Sequence, residues 1–232
     1  MGIQKTFFLF SLLIGFSALA QNSSVNVAGA MKNVMMKGEL GGSISLDSLA
    51  NKGVYGLGPI EFLRGELLLL DGIIYNSSVG DENSMQVEEI ESVKAPFFVY
   101  AEVSKWKSVS LPSSVTSLKS LEDFLDKLTP KNHEAFPFRL KGKINSADIH
   151  IVNLPKGSKV SSPKEAHEGL TNYNLTDKKV EILGFFSRKH QAIFTHHDTF
   201  IHLHLITEDQ KEMGHLDQVD FDPKNLKLYL PE

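Results

Sequence analysis

Ile201-His202-Leu203-His204-Leu205, followed by Gly214-His215, is the most informative stretch of the chain. A β-strand alternates its faces, and residues at i and i+2 point the same way, roughly 6.5–7 Å apart. His202 and His204 therefore share one face, while Ile201, Leu203 and Leu205 share an apolar one. The segment Thr207-Glu208-Asp209-Gln210-Lys211-Glu212 is polar and turn-like. A hairpin there returns His215 alongside the first two histidines. Three imidazoles converging from adjacent strands form an open metal site with positions left for water or substrate. An isolated His-x-His pair is equally at home on a half-buried strand. The histidine returning after a glycine favours metal.

The same strand logic extends outward. Glu66-Leu67-Leu68-Leu69-Leu70 runs into Asp71-Gly72 and then Ile73-Ile74-Tyr75. An Asp-Gly pair between apolar runs predicts a hairpin. From the residues alone, Glu66 at the start of this strand reads as a rim carboxylate in water. Ser45 to Ala50 reads as a short helix capped by Ser45. Gly53, Gly56 and Gly58 read as backbone punctuation and not as a phosphate loop, since no GK[ST] follows. Asn76 to Lys94 is polar, a loop with a short strand, and Pro96 to Val103 is a strand. Leu118, Leu121, Leu125 and Leu128 fall at helical spacing, with Ser117 as cap and Pro130 just beyond. Phe138–Ile144 and Ala147–Asn153 read as strands paired across Asn145-Ser146. Further strands are expected over 180–187, 200–207, 215–221 and 226–230. The fold class is α+β: two β-rich halves, 21–133 and 134–232, with mixed sheets, few helices and the histidines in the second half.

Residues 1–20 read as an export signal. Lys5 gives a positive start, Phe7 to Phe16 is apolar, and Ala18-Leu19-Ala20 is a cleavage pattern before Gln21. The expected location is periplasmic or extracellular, with no membrane attachment after cleavage. No cysteine is present, so neither disulfides nor thiolates contribute. Hydrophobic residues at 41% and charged residues at 22% describe an ordinary globule. The net charge of −4 opposes nucleic-acid binding, which needs concentrated positive charge.

Taken in order, these landmarks resemble the α-acetolactate decarboxylase family. The similarity runs from Ala30-Met31 through Gly56-Leu57-Gly58, where the family has GLGTF. It continues through Gly65-Glu66-Leu67 with Asp71-Gly72, where the family has GEL…DG, and through Phe138-Arg139-Leu140-Lys141-Gly142. The best-matching stretch is Ile201-His202-Leu203-His204 with Gly214-His215, where the family reads YHLHF…GGH, and the resemblance covers residues 30–230. The resemblance implies that His202, His204 and His215 hold Zn2+ or another divalent metal, and that Glu66 is an active-site residue and not a rim one. It implies decarboxylation of 2-acetolactate to acetoin and carbon dioxide, a step of acetoin biosynthesis. The implied partner is a small oxo acid, and a homodimer is compatible with it. The HLH…GH pair is also similar to the plant and prokaryote conserved domain, but the GEL…DG half has no counterpart there.

Three departures from the family pattern bear on activity. Pro59 stands where GLGTF has an active-site threonine. His150, in Ile149-His150-Ile151, stands where the family has an arginine that engages substrate charge, and histidine lacks the permanent bidentate fork. A protonated His150 is a weak catalytic replacement. The family also continues past the position of Pro231-Glu232 with a further active-site glutamate. The expected activity is therefore weakened. The alternative is a non-catalytic exported protein that binds a metal and a small ligand.

Overall fold

A computed structural model describes residues 24–133 and 135–232. The expected export signal lies outside these residues. The chain runs β1 (Asn26–Ala28), α1 (Met31–Lys37), β2 (Ile44–Ser45), β3 (Val54–Pro59), β4 (Glu66–Leu70), β5 (Ile73–Val79), β6 (Met85–Ile90), β7 (Lys94–Ala95), β8 (Phe98–Glu102) and β9 (Trp106–Val109). It continues with α2 (Leu118–Leu128), β10 (Phe136–Lys143), β11 (Ser146–Ile151), α3 (Pro163–Ala166), β12 (Thr171–Thr176), β13 (Lys179–Phe186), β14 (Ile201–Thr207), β15 (Met213–Asp220) and β16 (Leu226–Pro231). The α+β class holds, with two large open sheets and short helices.

The first sheet has the order β1-β8-β3-β4-β5-β6, and the second β12-β11-β15-β14-β13-β10-β16-β9. Every pairing between these strands is antiparallel. The sheets pack face to face. Tyr55, Leu57, Leu68, Tyr75 and Val99 from the first meet Leu183, Phe185, Ile206 and Met213 from the second. The other face of the second sheet is covered by α2, where Leu121 and Leu125 pack on Phe136, Ile201, Leu203 and Leu205.

Local chemistry explains several elements. Asp71 and Gly72 adopt positive φ of 52° and 87°, as a two-residue hairpin requires, and join β4 to β5. Ser117 and Ser120 form a reciprocal capping box at the start of α2. At its far end the Arg188 guanidinium donates to the carbonyls of Asp126, Thr129 and Pro130. Buried Glu122 of α2 accepts from the Phe200 N–H at 2.8 Å, fixing where β14 begins.

Three expectations need correction. Residues 138–144 and 147–153 do not pair with each other. β10 pairs with β13 and β16, and β11 with β12 and β15. The N–H groups of Ile144 and Asn145 are taken by Lys178 and Asp220, so the link crosses the end of the sheet instead of closing a hairpin. The stretch with Gly53, Gly56 and Gly58 contains a fully buried central strand, β3. A Cβ at Gly56 would lie 2.4 Å from the Phe98 ring, and one at Gly58 2.5 Å from the Phe97 carbonyl, so both glycines permit close packing of β3 on β8. The helix expected at Ser45 is only a 3-10 turn over Asp47–Leu49, because Ser45 is engaged in β2.

Candidate metal centre

Register brings the histidines together. In β14, Ile201, Leu203 and Leu205 face the core under α2, so His202 and His204 face the first sheet, as Ile206 does. The β14–β15 hairpin sets His204 opposite His215, and β11 sets His150 opposite His215 on the other side. His204, His215 and His150 thus form a row across three strands. Glu66 comes from the other sheet. It shares the inward face of β4 with Leu68, and its Oε2 lies 3.6 Å from His204 Nε2. The Val152 N–H donates to its Oε1 at 3.3 Å. Glu66 is 3% exposed, so this is no rim carboxylate.

The donor set suits a cation. One ligating atom from each of His202, His204 and His215 lies within 4.8 Å of the other two. The Leu67 carbonyl accepts from His204 Nδ1 at 2.9 Å, which fixes the tautomer and leaves a lone pair on Nε2. That Nε2 is buried and has no hydrogen-bond partner among the described residues. A buried polar atom left without a partner is costly, and a metal ion is the partner this geometry accommodates. His202 Nε2 and His215 Nδ1 approach to 3.1 Å. Burial pushes His204 down to about 3. Burial first, then the charge on His204, holds His202 well below the usual imidazole range. For His215 the cause is again burial, followed by the charge on His150. Neutral imidazoles are the ligating form. Burial acts on Glu66 in the opposite sense: it holds the carboxyl well above the usual carboxylate range. The Val152 N–H opposes that rise and Asp217 adds to it.

Three further residues enter the site without a sequence signal having singled them out. Asp217 lies two positions beyond His215, where the β11–β15 register shifts: Asp148 pairs with Gln218 but Ile149 with Leu216. This bulge places the Asp217 oxygens 2.7 and 2.9 Å from His150 Nδ1. The His196 ring centroid lies 5.1 Å from that of His215 and 6.2 Å from that of His202. His167, just past α3, lines the same small cavity as Glu66, His150 and Pro59. The strand spacing from His215 could have flagged Asp217, whereas His196 and His167 arrive from irregular segments that carry no periodic signal.

Two spaces meet at the histidines. On the Glu66 side is a cavity of about 30 Å³, room for one or two waters, walled by Met31, Leu63, Pro59 and Phe97. On the other side β14 and β15 diverge beyond His204 and His215. The groove between them, about 590 Å³ and bordered by α2, reaches His196, His202, His215 and Asp217.

A sequence profile of the family described as alpha-acetolactate decarboxylase matches residues 28–230. The chain belongs to the alpha-acetolactate decarboxylase family. It is 26% identical over 197 residues to alpha-acetolactate decarboxylase from Brevibacillus brevis, covering 84% of this chain and 66% of that protein, just under two thirds of its length. It is also 26% identical over 204 residues to the Lactococcus lactis subsp. cremoris protein of the same name, covering 86% and 80%. The fold matches the crystal structure of alpha-acetolactate decarboxylase from Bacillus subtilis with a TM-score of 0.74 at 17% identity, covering 89% of this chain and 84% of that one. A Staphylococcus aureus protein of unknown function, described as similar to alpha-acetolactate decarboxylase, gives a TM-score of 0.70 at 14% identity, covering 90% and 84%. In this family member, Pro59 pairs in register with Glu66, so a pyrrolidine ring occupies that wall of the small cavity.

Proposed function

We propose that the chain is a metal-dependent lyase of the acetolactate decarboxylase type, converting 2-acetolactate to acetoin and carbon dioxide. The observation that carries this reading is the buried Glu66 carboxyl set 3.6 Å from His204 Nε2, within a three-imidazole donor set. His202, His204 and His215 would hold zinc or another divalent ion, which would supply Lewis-acid stabilisation of the charge that develops on the substrate oxygens. When the bond to the carboxylate carbon breaks, carbon dioxide leaves and the electron pair stays on the substrate as an enediolate. The former carboxyl-bearing carbon then needs a proton. Glu66 is the group placed to deliver it, 3.6 Å from the His204 Nε2 ligand atom. Its Oε1 is tied to the Val152 N–H, which orients the group. Phe97, Leu63 and Met31 keep bulk water from this wall.

His150 limits the rate. Asp217 lies 2.7 Å from its Nδ1, so any positive charge on the imidazole is already balanced by a carboxylate. A substrate carboxylate that loses a charge-assisted hydrogen bond forfeits ~1.5–3 kcal/mol, roughly ten- to hundredfold in rate. Slow turnover is expected. The same pair favours the second reading, a relative that holds metal and a small oxo acid without turnover.

The test is acetoin release from racemic acetolactate by the metal-loaded full chain. Expected is a slow rate that vanishes on chelation and returns with metal. Stoichiometric metal without acetoin would establish the non-catalytic alternative, and acetoin release indifferent to chelation would remove the metal from the reaction. We further propose export to the periplasm or medium, from Lys5, the Phe7–Phe16 run and Ala18-Leu19-Ala20. A mature N-terminus at Gln21 by mass spectrometry supports it, and intact Met1 in a cytosolic fraction opposes it.

A further inference from the structure

His215 has two ring nitrogens, and they face different groups. Nδ1 is 3.1 Å from His202 Nε2, on the triad side. Nε2 lies 3.8 Å from Asp217 Oδ1, on the opposite side. His150 stands beside it in register, the two rings tilted by 33° with centroids 4.6 Å apart. His150 Nδ1 is within 2.9 Å of both Asp217 oxygens. One ligating atom from each of His150, His215 and Asp217 lies within 4.8 Å of the other two. The histidines are buried, whereas the Asp217 side chain is about one-third exposed and lines the groove beside α2. The group therefore opens to solvent at Asp217, through the groove that also reaches His202.

We propose that His150, His215 and Asp217 form a second divalent-cation site adjoining the triad, with the His215 imidazole shared between two ions. This rests on the triad reading, because His215 belongs to both sites. Two imidazole nitrogens and one carboxylate oxygen are a donor set for zinc, cobalt or a similar first-row ion, with a position left open toward the groove. The β-bulge is the structural device that makes it. Without the inserted residue, the side chain at 217 would not be re-aimed at His150. The proton balance is explicit. For both His215 nitrogens to present lone pairs, the ring N–H proton must leave to solvent. His150 must likewise release any hydrogen that its Nδ1 shares with Asp217. The incoming ion replaces these protons and adds positive charge on the groove side of the triad. The competing description is a plain His150–Asp217 hydrogen bond that supports the triad from behind. It requires no more than a single ion per chain.

The experiment is a metal titration of the full chain after chelator stripping, using Co2+ alone. Bound metal is measured by elemental analysis, and the visible and EPR spectra are recorded. Wild type is expected to hold two equivalents, with the EPR signal of the first attenuated as the second enters. Asp217→Asn and, independently, His150→Ala should each reduce the capacity to one equivalent and leave the first ion's spectrum in place. A wild type that saturates at one equivalent, lost in His204→Ala but kept in Asp217→Asn, would overturn the second site and leave the triad standing. Two equivalents that both survive His204→Ala would overturn the triad, and no bound metal would overturn both. Trp106 fluorescence checks that each variant is folded.

Discussion

Acidifying the metal-free protein from pH 7 to pH 5 should destabilise it, with His204 alone contributing about 2 kcal/mol of the loss and Glu66 opposing it. His204 is held at about 3 in the folded chain, against 6.5 for the free side chain. A depressed histidine contributes stability that is present above the unfolded value and lost as pH falls toward the folded one. Over this interval the unfolded chain gains about three quarters of a proton at His204 and the folded chain almost none, a loss of about 2 kcal/mol. His202 and His215 are shifted in the same direction by burial and add to the loss. Glu66 acts the other way. Its folded value is raised, so its contribution is fully present below the unfolded value near 4.5 and lost as pH rises. On acidification it restores part of the stability. Three imidazoles lose stability on acidification against one carboxyl that regains it, so the expected net change is a loss. Urea unfolding followed by Trp106 fluorescence is a suitable assay, since this sole tryptophan of the second sheet sits edge-on to Tyr55 of the first, with ring centroids 5.0 Å apart. Stability that is unchanged or higher at pH 5 would show that the imidazoles are not buried as neutral bases. Glu66→Gln should steepen the acid loss, and a shallower profile in that variant would show that the sign assigned to Glu66 is wrong.

In turnover assays, Glu66→Gln should lower kcat by roughly 10²–10⁴ while the metal content stays at wild-type level, and a kcat within twofold of wild type would exclude Glu66 as the proton donor. Gly56→Ala forces a methyl into the Phe98 ring and should cost ~1–3 kcal/mol or more in urea unfolding, whereas a neutral result would mean that β3 and β8 can separate cheaply. Ser117→Ala removes the capping box of α2 and should cost ~1 kcal/mol by the same measure, with no change in stability marking the cap as dispensable.

The strand that carries His202 and His204 was legible because one apolar face and one histidine face alternate without interruption. The return of His215 was legible because a polar turn separates two strand-like runs. The Asp71-Gly72 hairpin and the α2 stripe announced themselves by local chemistry. Glu66 was misread from residues alone, since burial against a second sheet is a tertiary property that no local pattern reports. Only the resemblance moved it into the site. The β3 strand was hidden because its glycines serve packing against Phe98, which looks like loop composition in one dimension. Asp217 could have been noticed as i+2 from His215, but the bulge that turns it toward His150 depends on β11, more than sixty residues upstream. The false pairing of β10 with β11 came from treating adjacent strands as partners, while the backbone donors at Ile144 and Asn145 were satisfied by other strands.

The most direct test of the metal centre is anomalous diffraction at the zinc edge from crystals of the zinc-loaded protein. The expected result is a strong peak bonded to His202 Nε2, His204 Nε2 and a His215 ring nitrogen at roughly 2.0–2.1 Å, with the Glu66 carboxyl beside it. No peak at these three histidines under saturating zinc, with zinc bound only elsewhere or not at all, would contradict the assignment.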